Sequence, residues 1–413
     1  MKISAIKAIQ ILDSRGKPTV RTFVTLENGM RTSASVPSGA STGSHEAVEL
    51  RDGDASKYLG MGVLTAVSHV NTTIAKEVVG MSVEDPKAVD AAMIALDGTE
   101  NKKNLGANAL LSVSQAVVRA GALVQKKPLW QYLNEYYFPD QKSEFPRLMV
   151  NIVNGGKHAA WNFDIQEFMI VPKIRKPSES VRIASEIFHL LGKVLKTKHM
   201  STLVGDEGGY SPSLDSNESV LETIQHAAKQ NQYETGRDYD FALDPAASEF
   251  YRDTMYHFKK TGQHMTGKEL AHYYAALQQK FGIISFEDPF AEDDWDTFAY
   301  FTAMMQAKAQ VVGDDLFVTN PQRIQKGITQ QSANAVLIKL NQIGTVSETA
   351  EAIRMTQKAG WNVVISHRSG ETEDSFIADL AYGSGADFIK TGSMSRSERL
   401  SKYNRLIEIE MGL

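Results

Sequence analysis

The chain has 413 residues, 42% of them hydrophobic and 23% charged, enough to build two ordinary cores or one small core beside a large one. Its formal charge of −5 and pI near 6.1 offer no basic field to gather nucleic acid or anionic membrane, so neither is expected as the main partner. With no cysteine, disulfides, thiolate metal sites, iron–sulfur clusters and cysteine nucleophiles drop out together, and any metal must rest on oxygen or imidazole.

No window approaches the roughly 18 to 20 apolar residues of a membrane span, so the reading is a soluble cytoplasmic protein. In chain order, Val20 to Leu26 alternates with period two, bounded by Gly16, Pro18 and the Asn28-Gly29 turn signal, which predicts an antiparallel hairpin or meander. Ala, Leu and Val then recur at helical spacing over Ser56 to Val78 and Asn108 to Gln125, giving a small α+β unit. Lys126 to Pro146, with Pro128, Pro139 and mixed charge, reads as a junction. Beyond it, short apolar runs each end in a charged or polar residue and lead into a helical pattern. Asp244, Glu287, Asp314, Lys339, His367 and Lys390 occupy six such ends, and from Glu287 onward the steps are 27, 25, 28 and 23 residues by subtraction. That is the rhythm of βα units, whose strand ends share one mouth. Any one of these residues could simply cap the next helix, but six together read as chemistry.

Asp244, Glu287 and Asp314 would converge from successive strand ends, where a divalent cation relieves their repulsion; oxygen ligands favour magnesium or manganese over zinc. A hydrogen-bonded carboxylate cluster without metal is the alternative on spacing. Lys339 beside such a cation would lose preference for its ammonium form and serve as a base, or else form a structural salt bridge. Val204 to Tyr210 puts Asp206 and Glu207 on a glycine-flanked turn, where Glu207 is a candidate acid or an ordinary loop charge. Ser38 to Gly43 is small and hydroxyl-rich, suited either to closing over a polar substrate or to linking. His367-Arg368-Ser369-Gly370 and Lys390-Thr391-Gly392 bring a guanidinium, a hydroxyl and an ammonium to the same mouth, and arginine can hold a phosphate bidentately.

These segments, in this order, resemble the enolase family. The resemblance runs through Leu12 to Gly16, the serine loop with Glu46 to Asp54, Leu105 to Ala109, Asn151 to His158 and Gln166 to Met169. It continues through the Glu207 turn, Ala246 to Phe250, Glu287 to Pro289, Gly313 to Leu316, Lys339 to Glu348 and Ser366 to Arg399. It implies an α/β chain with a small N-terminal α+β domain over residues 1–137 and a C-terminal β/α, TIM-like barrel of the enolase type over 138–413. The implied activity is the magnesium-dependent, reversible dehydration of 2-phosphoglycerate to phosphoenolpyruvate. By the same resemblance Asp244, Glu287 and Asp314 hold one magnesium ion, and a second, arriving with substrate, engages the phosphate and Ser41. Lys339 is then the base at carbon 2 and Glu207 the acid at the carbon-3 hydroxyl, assisted by Glu167. Gln166 lies near the metal and base, while His158, Arg368, Ser369 and Lys390 grip the substrate. A cytoplasmic homodimer is implied, with octamers and with secretion or cell-surface display as variants within the family. The intact Glu207 turn, serine loop and Ser366 to Arg399 block separate this reading from other members of the wider superfamily. Lys17, Tyr210, Pro245 and Trp161 depart from the family's usual residues without removing a catalytic group.

Overall fold

The structure, a computed structural model, describes residues 1–39, 43–159 and 161–413. Three strands open the chain, β1 (Ile3–Leu12), β2 (Pro18–Leu26) and β3 (Arg31–Ser35), paired antiparallel in that order. The expected meander is therefore present. Gly29 supplies the positive φ (81°) that the tight turn before β3 requires, and Val20, Val24 and Leu26 point into the core of the small domain.

The helix Ala107–Val124 runs through that core, with Thr22 and Ser112 hydroxyls 2.6 Å apart where it crosses β2. With 18 residues and a mean hydropathy of 1.3, it has the length and average apolarity of a membrane span, although Asn108, Ser112, Ser114, Gln115 and Arg119 interrupt its apolar run. Its side chains are instead spent on the sheet and on neighbouring helices, as its burial on nearly all sides requires. One expectation is corrected here. The pattern read as helical from Ser56 starts its regular helix only at Leu64, where Asp52 accepts the N–H groups of Leu64 and Thr65, after Tyr58 and Leu59 adopt positive φ. The segment read as a junction contains the helix Leu129–Tyr137, which buries Tyr132, Leu133 and Tyr137 and sets Trp130 edge-on to Tyr382 at 4.9 Å.

The remainder is built on β4 (Arg147–Asn154), β5 (Glu167–Pro172), β6 (Tyr239–Asp244), a small sheet of β7 (Tyr251–Arg252), β8 (Met255–His257) and β9 (His264–Met265), then β10 (Ile283–Glu287), β11 (Gln310–Gly313), β12 (Ala335–Ile338), β13 (Asn362–Ser366) and β14 (Phe388–Lys390). Strands β4 to β6 and β10 to β14 close into a barrel, with β4 beside β14 and β6 beside β10. Alternation along each strand divides the packing: Ala335 and Leu337 fill the barrel interior with Met149, Met169, Val312 and Val364, whereas Val336 and Ile338 pack outward with the surrounding helices. One strand breaks the expected repeat. β5 runs antiparallel to both β4 and β6, so its N-terminal end lies at the mouth formed by the C-terminal ends of the others, and Glu167 pairs in register with Asp244. The small domain is fastened over the barrel by the Arg119 guanidinium, which donates to both Asp374 carboxylate oxygens at 2.6 and 2.7 Å.

Candidate active site

All six strand-end residues come together at the mouth, because each stands at or directly after the last residue of its strand. Lys390 is buried at the centre, 2.8 Å from Glu287, 3.1 Å from Asp244 and 3.3 Å from Glu167. Burial opposes its charge, but Glu167, Glu287 and Asp244 outweigh that and hold its pKa well above the usual lysine range. Lys339 contacts Asp314. That carboxylate overcomes the effect of burial and keeps the ammonium above its ordinary pKa, while Lys339 and Lys390 hold the Asp314 carboxyl below its own despite burial. Glu167 and Glu287 go the other way, raised first by burial and then by the neighbouring charges of Glu207 and Asp244 respectively.

Glu207 reaches the same space from the turn between two barrel elements. Its Oε2 accepts from Asn151 Nδ2 at 2.9 Å, and its Oε1 stands 3.7 Å from His367 Nε2. Burial drives the His367 pKa well down, against the pull of Glu207 and with the help of Arg399, which lies 2.5 Å from Nδ1. Gly208 makes the turn possible: its φ is 84°, and a Cβ there would stand 2.5 Å from the Ser395 carbonyl oxygen. Arg368 donates to Glu46 at 2.9 and 3.2 Å and to Asn341 at 3.2 Å. Ser369 Oγ is 3.3 Å from Arg15, which also ties its guanidinium to the carbonyls of Ser38 and Gly39 at the base of the serine loop.

The donor set suits a hard divalent cation. Carboxylates outnumber cationic side chains around the cavity, and the buried Oε2 atoms of Glu167 and Glu287 share the single Lys390 ammonium, at 3.3 and 2.8 Å. Among the described residues, the group of three carboxylates whose oxygens lie within 4.8 Å of one another is Asp288, Asp314 and Asp315, a set that shares only Asp314 with the one expected from strand ends. Asp288 is already committed to structure, however. Its two oxygens accept the backbone N–H groups of Asp314 and Asp315 at 2.8 and 2.7 Å, which orients the end of β11. Asp315 is pushed up to about 8, by burial and then by Asp314.

Of the residues anticipated from sequence, Gln166, Glu167, Glu207, Asp244, Glu287, Asp314, Lys339, Arg368, Ser369 and Lys390 are gathered at one cavity. Ser41 lies outside the described residues, as does the side chain of His158. Asn151, Asp288, Asp315, Arg15 and Glu46 were not singled out by role. The Glu287-Asp288 and Asp314-Asp315 doublets were visible in the sequence, but nothing local distinguishes the member that faces the cavity from the one that ties down the backbone.

A closed β/α barrel under an N-terminal cap, with the buried Lys390 and the partly buried Lys339 among carboxylates at its mouth, defines an acid–base enzyme built for a small anionic substrate and a divalent cation. Residues 3–133 match the family described as "Enolase, N-terminal domain", and residues 142–413 match "Enolase, C-terminal TIM barrel domain". The "Enolase" of Elusimicrobium minutum is 52% identical over 414 residues, covering 100% of this chain and 96% of the relative. The "Enolase" of Desulfotalea psychrophila is 53% identical over 418 residues, covering 100% of this chain and 97% of the relative. The chain belongs to the enolase family of phosphopyruvate hydratases, magnesium-binding lyases of glycolysis.

Proposed function

We propose that Lys339 removes the proton from carbon 2 of 2-phosphoglycerate and that Glu207 protonates the hydroxyl departing from carbon 3, so that phosphoenolpyruvate and water are formed. The observation that carries this reading is the placement of Lys339, Glu207, Glu167 and Lys390 around one cavity fed by separate strand ends and one turn. Glu167 assists at the hydroxyl, Gln166 lies by the base, and His158, Arg368, Ser369 and Lys390 hold the substrate, with Arg368 and Ser369 at its phosphate.

Asp244, Glu287 and Asp314 would hold a magnesium ion, and a second, entering with substrate, would be held through Ser41. The bound ions would supply positive charge to the substrate carboxylate, whose neighbouring proton is otherwise too weakly acidic to remove. Asp314 presses Lys339 toward its charged form, so neutralising Asp314 favours the free amine that a base needs.

The same reading divides the chain at residues 137 and 138 and takes it to be a cytoplasmic homodimer, with the octamer as the larger alternative and surface display as an additional destination. The test of function follows the ultraviolet absorbance of the conjugated product from 2-phosphoglycerate, with magnesium present or chelated. Signal that grows only with magnesium supports the assignment, and no growth in either condition overturns it.

A further inference from the structure

Glu46 belongs to the small domain and Arg368 to the barrel, 322 residues later, yet the two form a buried bidentate pair. The Glu46 carboxylate does more than balance that charge. Its Oε1 also accepts the backbone N–H of Gly43 at 3.1 Å, which is the last residue of the Ser38 to Gly43 loop, and lies 3.4 Å from Gln342 Nε2. Gln342 in turn donates to Asp314 Oδ1 at 2.8 Å and accepts from Thr319, whose hydroxyl oxygen receives the N–H of Lys339. Gly43 itself is wedged in: a Cβ there would stand 3.0 Å from both the Asp315 carboxylate and the Val318 side chain. One carboxylate thus joins the end of the serine loop, the arginine assigned to the phosphate, and the strand ends that carry Asp314 and Lys339.

We infer that Glu46 is a positioning residue for the phosphate end of the substrate, acting through Arg368 and tying its orientation to the placement of Gly43. This rests on the assignment of Arg368 to the phosphate. An arginine held by two parallel hydrogen bonds on one edge presents its remaining N–H groups in a fixed plane. Without that carboxylate the guanidinium keeps its bond to Asn341 but loses its bidentate anchor, so its plane is less firmly fixed and it binds the same phosphate less well. Phosphate is not the group undergoing reaction, so the loss falls on ground state and transition state together and appears in KM rather than kcat.

The experiment measures KM and kcat for 2-phosphoglycerate and competitive inhibition by inorganic phosphate, in the magnesium-loaded full chain, for Glu46→Gln, Arg368→Gln and the double variant. Glu46→Gln is expected to raise KM and the phosphate inhibition constant together by about tenfold, with kcat within about twofold of the parent. In the Arg368→Gln background the same change is expected to add less than about twofold, because its route of action is already gone. Glu46→Asp, which keeps the charge on a shorter arm, tests the same point with less disturbance to folding, and is expected to show a smaller rise of about threefold in KM. A fall in kcat at unchanged KM, or an equal effect of Glu46→Gln with and without Arg368, overturns the inference. If Arg368→Gln alone leaves phosphate inhibition unchanged, the assignment of Arg368 is what fails.

Discussion

Replacing Asp374 with Asn tests whether charge pairing holds the small domain on the barrel. Asp374 accepts from both Arg119 guanidinium nitrogens and from the N–H groups of Ser35 and Phe376, each at 3.0 Å. Burial would raise its pKa, but Arg119 and the two backbone donors bring it to about 2 from an ordinary 3.8. That difference corresponds to about 2 kcal/mol favouring the folded ionised state. The native pKa lies below the unfolded one, so the contribution is complete above about pH 4 and is lost as pH falls toward 2, with roughly half remaining at pH 3. Asn removes the charge and leaves Arg119 with a neutral partner, so Asp374→Asn is expected to cost about 2–3 kcal/mol in denaturant unfolding at pH 7. The difference between parent and variant should shrink by about 1 kcal/mol when both are measured at pH 3. A loss below about 1 kcal/mol at pH 7, or one that does not change with pH, would refute the electrostatic reasoning and assign the effect to packing.

Lys339→Ala is expected to abolish exchange of the carbon-2 proton of 2-phosphoglycerate with solvent, whereas Glu207→Gln should block dehydration and leave some exchange; equal loss in both would disprove the division of roles. Asp314→Ala should weaken magnesium binding in calorimetry by about tenfold or more, and an unchanged affinity would remove Asp314 from the ion's ligands. Asp90, buried against Ser347 at 3.0 Å from its N–H, has a pKa raised to about 6, chiefly by burial. Its folded-state pKa exceeds the unfolded one, so its contribution is present below about pH 4 and disappears as pH rises through 6. Asp90→Asn keeps an acceptor for Ser347 and is therefore expected to raise stability at pH 7 by about 1–3 kcal/mol while changing little at pH 4; lower stability at pH 7 would show that the carboxylate is better accommodated than its burial suggests.

The site was legible to the extent that it is built from strand ends. An apolar run that stops at a charged residue marks both the end of a barrel strand and the depth at which its side chain emerges, which is why the sequence alone places Asp244, Glu287, Asp314, Lys339, His367 and Lys390 at strand ends. Glu207 could be proposed from its glycine-flanked turn, although only the approach of Gly208 to Ser395 explains why the glycine is needed. What periodicity could not contain is pairing. It reports which face of an element is buried, and β5 has the same apolar texture whether it lies parallel or antiparallel to its neighbours; its reversed direction, which brings Glu167 to the mouth, depends on the short path from β4. Nor could it tell Asp288, consumed by two backbone N–H groups, from Glu287 one residue earlier, which faces Lys390. Local patterning, then, determined the barrel's rhythm and most of the groups at its mouth. Only the closed tertiary structure decided that Glu46 and Arg368 meet across 322 residues, because contact between distant segments is set by how the two cores pack together and not by the sequence around either one.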